Sequence, residues 1–170
     1  DGLIVVDLPY PENKNFASTN SAYSFYNAYK SITSESYIHL NCDILFSNHL
    51  LKQVIDNPNE NVIACRKDIQ FTDAMENVIS KNNRIVNMSL RHTPEVSRKG
   101  FGLAKISMSA VHENIKQYEK LVPKIQNIEN YYGLIRMTLG IVDYFTEDSN
   151  KYELAEINTH DDLKTCSFRL

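Results

Sequence analysis

Apolar residues recur with two different periods along this chain, and the switches between the periods mark its elements. Leu3-Ile4-Val5-Val6 is a continuous apolar run of buried-strand type, and it follows Asp1 so closely that the chain is expected to begin inside a larger protein. Pro9, Pro11 and a polar stretch through Ser18 read as a loop. Ala22, Phe25, Tyr26, Tyr29 and Ile32 then recur at helical spacing, with Ser18, Thr19 or Asn20 available as the cap. Tyr37 to Asn41 reads as a strand, and Leu50, Leu51, Val54 and Ile55 share one side of a short helix that Asn57-Pro58 stops. Asn61 to Arg66 is a further strand. Met75 to Ile79 and Ile85 to Ser89 flank Lys81-Asn82-Asn83-Arg84 as an antiparallel hairpin, because paired asparagines tolerate the positive φ that such turns need. Thr93 to Gly100 is a long polar loop, either an ordinary connection or a flap. Phe101 to Met108 is a strand, Val111, Ile115, Tyr118 and Val122 mark a helix halted by Pro123, and Ile125, Ile128, Tyr132, Ile135 and Leu139 mark another. Tyr152 to Ile157 closes the strands, and Asp161-Asp162-Leu163 reads as the first turn of a last helix, where acids complement the helix dipole.

Strand and helix alternate through the first half of the chain, which predicts an α/β domain. A Rossmann-like three-layer arrangement follows, its mixed sheet mostly parallel and carrying an inserted antiparallel hairpin. No repeat or linker divides the 170 residues, so residues 1–170 are expected to form a single domain, incomplete at its N-terminus.

Composition narrows the function classes. The net charge is -3 and the 18 basic residues are scattered, which argues against a nucleic-acid or acidic-membrane partner. Cys42, Cys65 and Cys166 lie far apart with no zinc or disulfide spacing, as expected of thiols in a reducing compartment. No membrane span or signal-peptide pattern is present in the sequence, and the cytoplasm is the expected location. The five histidines show no i, i+4 pair and no HExxH, and His39 reads as a satisfied core residue.

Asp43 is the informative acid. It sits at the exit of the apolar run ending Leu40-Asn41-Cys42, where open α/β sheets present ligand chemistry. It reads either as a carboxylate holding a hard cation against a phosphate or as a cap for the helix that begins near Asn48.

Five short strings in order resemble the nucleotidyltransferase superfamily, especially its cytidylyltransferase-like branch acting on phosphocholine, phosphonates and sugar phosphates. They are Leu8-Pro9-Tyr10 followed by Thr19-Asn20-Ser21-Ala22-Tyr23-Ser24, Leu40-Asn41-Cys42-Asp43-Ile44-Leu45-Phe46, Ala74-Met75 with Arg84-Ile85-Val86, Phe101-Gly102-Leu103-Ala104-Lys105-Ile106-Ser107, and Glu156-Ile157-Asn158-Thr159-His160-Asp161-Asp162-Leu163. The resemblance implies transfer of a nucleotidyl group, CMP first among them, from a nucleoside triphosphate to a small phosphorylated alcohol or sugar phosphate, releasing diphosphate. It implies Mg²⁺ as cofactor, Asp43 as the catalytic and metal-binding carboxylate, and Asn158 at the second metal position. Asn20, Ser24, Asn41, Lys105, Tyr132 and Glu156 are the substrate-binding candidates it brings. Asn20 also reads as a helix cap, Lys105 as a solvent-facing strand residue, Glu156 as a surface acid, and Tyr132 with Tyr131 as core.

The departures define a competing reading. Asn158 stands where the family has an Asp, Cys42 where it has Gly, Ser97-Arg98-Lys99-Gly100 where it often has Gly-Glu before the strand, and Leu90 where a Ser-Lys pair is common. No glycine-rich phosphate loop occurs in the sequence, so a larger chain or a partner subunit is expected to supply it. The alternative is thus a catalytically impaired pseudoenzyme or interaction module of the same fold. A glycosyltransferase ranks last, because Leu45 occupies the second acid's place in Asp-x-Asp.

Overall fold

The computed structural model describes residues 12–122, 124–166 and 168. The chain runs α1 (Ser21–Ala28), β1 (Ser36–Leu40), β2 (Ile44–Phe46), α2 (Asn48–Asp56), β3 (Val62–Arg66), β4 (Asn77–Lys81), β5 (Arg84–Ser89), β6 (Arg98–Ser107), α3 (Met108–Glu119), α4 (Tyr131–Arg136), β7 (Phe145–Ser149), β8 (Leu154–Glu156) and α5 (His160–Thr165). The strand expected over Leu3–Val6, the Leu8-Pro9-Tyr10 element and the stop at Pro123 lie outside the described residues.

Each of the five described α-helices begins at a residue whose side chain accepts a first-turn N–H: Asn20, Ser47, Ser107, Asn130 and Thr159. At α5 the cap is reciprocal, since Asp162 also accepts from the Thr159 backbone. Such caps satisfy orphan helix donors and contribute about 1 kcal/mol each.

Six strands pair in the order β1-β6-β3-β7-β5-β4, and a further β4–β6 pairing closes five of them, β6-β3-β7-β5-β4, into a ring. A separate ribbon joins β2 to β8. The domain is a mixed α/β fold, but the expectation of a mostly parallel sheet is overturned. Among the described strands only β3–β7 pair in parallel; every other pairing is antiparallel. The reason lies in β6. Because β1 and β3 both run antiparallel to β6, they are parallel to each other, as β1-α2-β3 alternation requires. The ten-residue β6 inserts between them and takes the hydrogen bonds that each would have offered the other.

The hairpin occurs as expected, with Asn82 at φ 50° and Asn83 at φ 62°. Two other expectations fail. The loop over Thr93–Gly100 gives way to strand at Arg98, whose Nε donates to Asp148 Oδ1 at 2.7 Å and whose Nη1 donates to Ser80 Oγ. The helix expected across Ile125–Leu139 is confined to Tyr131–Arg136, since Asn130 turns its side chain onto the Gly133 N–H and starts the helix there.

Alternation along β3 and β6 separates two cores. Ile63, Cys65, Ala104 and Ile106 face α1, α3 and α4, while Ala64, Phe101 and Leu103 face Leu50 and Val54 of α2 and Leu154 of β8. Burying a side chain such as Leu154 or Leu50 contributes about 1.5–3 kcal/mol. This second core holds the β2–β8 ribbon over one end of the sheet. No helix among the described residues is long and apolar enough to cross a membrane.

Candidate functional site

A cleft of about 400 Å³ opens where β1 ends and β6 begins. Its walls include Asn41, Asp73, Glu76, Lys99, Asn130, Tyr132, Glu156 and Asn158. Two larger clefts, about 590 and 510 Å³, lie around Pro58 to Glu60 and Ser109 at the other end of β6, and hold none of these residues.

The floor of the cleft depends on Gly102. Asn41 donates its backbone N–H to Gly102 O at 2.7 Å, and a Cβ added at Gly102 would overlap the Asn41 side chain. Glycine is therefore required here by close approach. The amide of Asn41 is oriented from behind by His39, whose Nε2 lies 3.1 Å from Asn41 Oδ1. Neutral His39 with its proton on Nε2 is the donor, leaving the amide N–H groups of Asn41 as its remaining donors. His39 stacks on Tyr131 with ring centroids 3.5 Å apart and planes 7° from parallel, and Tyr131 bonds Tyr37 hydroxyl to hydroxyl. Burial pushes the His39 pKa down to about 4, with the Asn41 bond opposing weakly.

Tyr132 is buried at 4% exposure and donates its hydroxyl to Phe101 O, so it forms wall rather than a mobile stacking platform. Behind the opposite wall, Arg136 Nη1 donates to Glu76 Oε2 at 2.7 Å and its Nη2 to Glu129 Oε2 at 2.9 Å, while Asn130 Nδ2 donates to Glu76 Oε1 at 2.6 Å. Both oxygens of Glu76 are thus committed to shaping the cleft. Ala74 holds a left-handed φ of 66° in the adjoining loop, which Asn77 Nδ2 ties down through Thr72 O at 2.9 Å and Met75 O at 3.3 Å.

Asp43 lies in the turn between β1 and β2, and its backbone O accepts from Ile157 N at 2.8 Å. That bond puts Asn158 one residue beyond the point where the two chain segments meet. Asp43 Oδ1 is buried and has no partner among the described residues. A buried carboxylate oxygen left unpaired is costly, and a hard cation is the kind of partner that would satisfy it. Asn158 adds a neutral amide oxygen. Glu156, two residues before it, is already paired with Lys99. No group of three or more His, Cys, Asp or Glu side chains suited to a metal occurs among the described residues. What these residues offer a hard cation is therefore one carboxylate oxygen at Asp43 and a neutral amide at Asn158.

Of the residues expected from sequence, the cleft gathers Asn41, Tyr132, Glu156 and Asn158, with Asp43 beside it. Three are used elsewhere. Asn20 caps α1, its Oδ1 accepting from Ser21 N at 2.7 Å, and Ser24 Oγ accepts from Asn13 Nδ2 at 2.9 Å. Lys105, on the face of β6 shared with Lys99 but six residues along, donates to Ile55 O at 3.0 Å and Asn57 O at 2.5 Å, closing the C-terminal end of α2. Glu76, Asn130 and Arg136 were not expected. Glu129 lies just before the Asn130 cap of α4 and Arg136 at the end of that helix, but the ion pair to Glu76 spans 60 residues, and no local pattern signals it.

No family model matches the chain, and no curated protein does. Solved structures do. The inositol-1-phosphate CTP transferase from T. maritima superposes with a TM-score of 0.73 at 20% identity, covering 91% of this chain and 61% of that one. The CTP:phosphocholine cytidylyltransferase from Streptococcus pneumoniae gives 0.69 at 10% identity over 89% of this chain and 64% of its own. A nucleoside-diphosphate-sugar pyrophosphorylase from Vibrio cholerae RC9 gives 0.60 at 9% identity over 84% and 62%. The chain spans less than two thirds of the length of each. What these proteins share with it at such low identity is architecture, and the chain has a nucleotidyltransferase-like fold.

Proposed function

We propose that this chain is the acceptor-binding part of a nucleotidyltransferase domain that moves a nucleotidyl group, CMP in the first instance, from a nucleoside triphosphate to a small phosphorylated alcohol or sugar phosphate. The single observation that carries this reading is the unpaired, buried Oδ1 of Asp43 beside a cleft lined by Asn41, Glu156 and Asn158, in a fold of nucleotidyltransferase type. The parallel direction of β1, β3 and β7 supports the Rossmann-like character of the sheet.

Nucleotidyl transfer asks little covalent chemistry of a protein. It requires that two anionic reactants be held in line with their charge screened. Magnesium, when bound, supplies that screening. Asp43 would hold the ion, with Asn158 as an uncharged second donor. Asn41, its amide fixed by His39 and its position by Gly102, would orient the acceptor, and Tyr132 and the Glu76–Arg136 pair would bound the space it enters. Residues 1–170 would all lie within that single domain, in the cytoplasm, where the free cysteines Cys42, Cys65 and Cys166 would remain reduced.

A second reading is favoured by one feature. The Lys99–Glu156 ion pair neutralises one acid of the cleft and Asp162 is tied to the Asn158 and Thr159 backbone, leaving Asp43 as the carboxylate whose buried oxygen has no partner among the described residues. On that basis the chain is a pseudoenzyme that binds a nucleotide or sugar phosphate without turnover. Diphosphate release from CTP, UTP, GTP or ATP by the full-length protein, with Mg²⁺ and a panel of phosphorylated alcohols and sugar phosphates, separates the two. Transfer requires release with at least one pair. Nucleotide binding without release from any pair supports the pseudoenzyme.

A further inference from the structure

Arg66 and Lys99 are register partners across β3 and β6, so their side chains leave the sheet on one face directly opposite each other. Like charges so placed repel, and neither is relieved by solvent, since each side chain is only 12% exposed. Both arch over the ring of Phe101, Lys99 Nζ at 4.5 Å and Arg66 Cζ at 6.0 Å from its centroid. Both then end at β8. Arg66 Nη1 donates to Leu154 O at 3.1 Å, and Lys99 Nζ pairs with Glu156 Oε2.

Glu156 is the wall between two spaces. On one side lies the 400 Å³ cleft lined by Lys99, and on the other a 260 Å³ polar cleft lined by Arg66, Lys151 and Asp162. Asp162 is already engaged, its Oδ2 accepting from Asn158 N at 3.1 Å and Thr159 N at 2.7 Å. Arg66 Nε donates to Asp68 Oδ1 at 2.8 Å, but that carboxylate is 43% exposed.

Donors exceed acceptors at this point. An ammonium offers three N–H groups and a guanidinium five. Among the described residues Glu156 is the acceptor given to Lys99, and Nη2 of Arg66 has none. Asp68 and Glu156 serve the two cations separately, whereas an oxyanion with three acceptor oxygens, taking the place of Glu156 between the two clefts, can form charge-assisted bonds with both.

We propose that Arg66 and Lys99 form a subsite for the phosphoryl group of a phosphorylated ligand, and that Glu156 is its resident counter-anion, which the ligand displaces. Assigning that group to the acceptor rests on the transferase reading above; the binding of a phosphoryl group does not. The arrangement has an unusual sign. Glu156 competes with the ligand, so removing its charge strengthens binding, whereas a merely structural ion pair would weaken or leave it unchanged when broken.

The test is titration calorimetry with inorganic phosphate and, separately, glycerol phosphate, in the absence of nucleotide and metal. Glu156→Gln is expected to bind phosphate about tenfold more tightly than the unmodified protein, because one negative charge beside the ligand is gone. Lys99→Met and Arg66→Gln are expected to lose about tenfold or more each, the ordinary consequence of removing a cation that contacts a phosphoryl group. Tighter binding of glycerol phosphate than of inorganic phosphate identifies an esterified ligand; the reverse order identifies the free ion. Urea denaturation without ligand checks that each variant folds. Lys99→Arg keeps both the charge and the ion pair, and it is expected to retain binding even if Glu156→Gln proves unstable. Unchanged or weaker binding in folded Glu156→Gln, wild-type binding in Lys99→Met, or loss of binding in Lys99→Arg overturns the proposal. A failure to release diphosphate leaves this outcome untouched, and a failure here leaves the transfer reading standing.

Discussion

Acidification should weaken this fold through His39 before its carboxylates titrate. Burial lowers the His39 pKa from an ordinary value of 6.5 to about 4, so between those limits the unfolded chain takes up a proton that the native one refuses. Stability from this group is fully present above pH 6.5 and is lost as pH falls through 4. The difference is about 2 kcal/mol at pH 5 and about 3 kcal/mol at pH 4. That is a large share of the roughly 5–15 kcal/mol by which domains are stable. The cause is specific, because the ring lies flat on Tyr131 and has Asn41 as its hydrogen-bond partner. Urea denaturation at pH 7, 6, 5 and 4 on wild type and His39→Gln isolates the effect. The wild type should lose about 2 kcal/mol more than the variant between pH 7 and pH 5. Parallel profiles would refute the reasoning, since they would show that His39 is protonated equally in both states.

Gly102→Ala forces a methyl group into the Asn41 side chain and is expected to cost about 1–3 kcal/mol, read as a lowered Tm; a Tm equal to wild type would show that Asn41 is not pinned at the cleft floor. Arg136→Met strands the Glu76 carboxylate, which is 11% exposed, and should cost about 3–5 kcal/mol in urea denaturation. Adding Glu76→Gln should recover part of that loss, and a double variant no more stable than Arg136→Met would argue against the pair as the cause.

The sequence made β6 legible because its two faces differ so sharply. Lys99, Phe101, Leu103 and Lys105 alternate with Gly100, Gly102, Ala104 and Ile106. It made β7 illegible. Phe145-Thr146-Glu147-Asp148-Ser149 looks like a polar loop, yet it pairs in parallel with β3. Its acids survive there because Asn57 Nδ2 donates to Glu147 at 2.7 Å, and Arg98 and Lys67 hold Asp148 at 2.7 and 2.6 Å. Those partners are distant in sequence, so periodicity carries no trace of them. The same holds for the sheet order, which depends on β6 arriving late and inserting between strands that local alternation makes neighbours. At the site, Asn41, Tyr132, Glu156 and Asn158 were recognisable from short motifs. Asn20 and Lys105 were ambiguous because a cap and a helix-end donor use the same groups that a substrate would. Lys99 was legible as a departure from the family, whereas its opposition to Arg66 needed the β3–β6 register.

Asp43 is proposed as the carboxylate that holds a divalent ion against nucleotide phosphates. Electron paramagnetic resonance of Mn²⁺ with CTP, read against Mn²⁺–CTP without protein, measures this without requiring turnover. Wild-type protein should convert the Mn²⁺–CTP signal to a protein-bound one, and Asp43→Asn should lose most of that conversion while remaining folded. Equal Mn²⁺ binding by the two proteins would contradict the assignment.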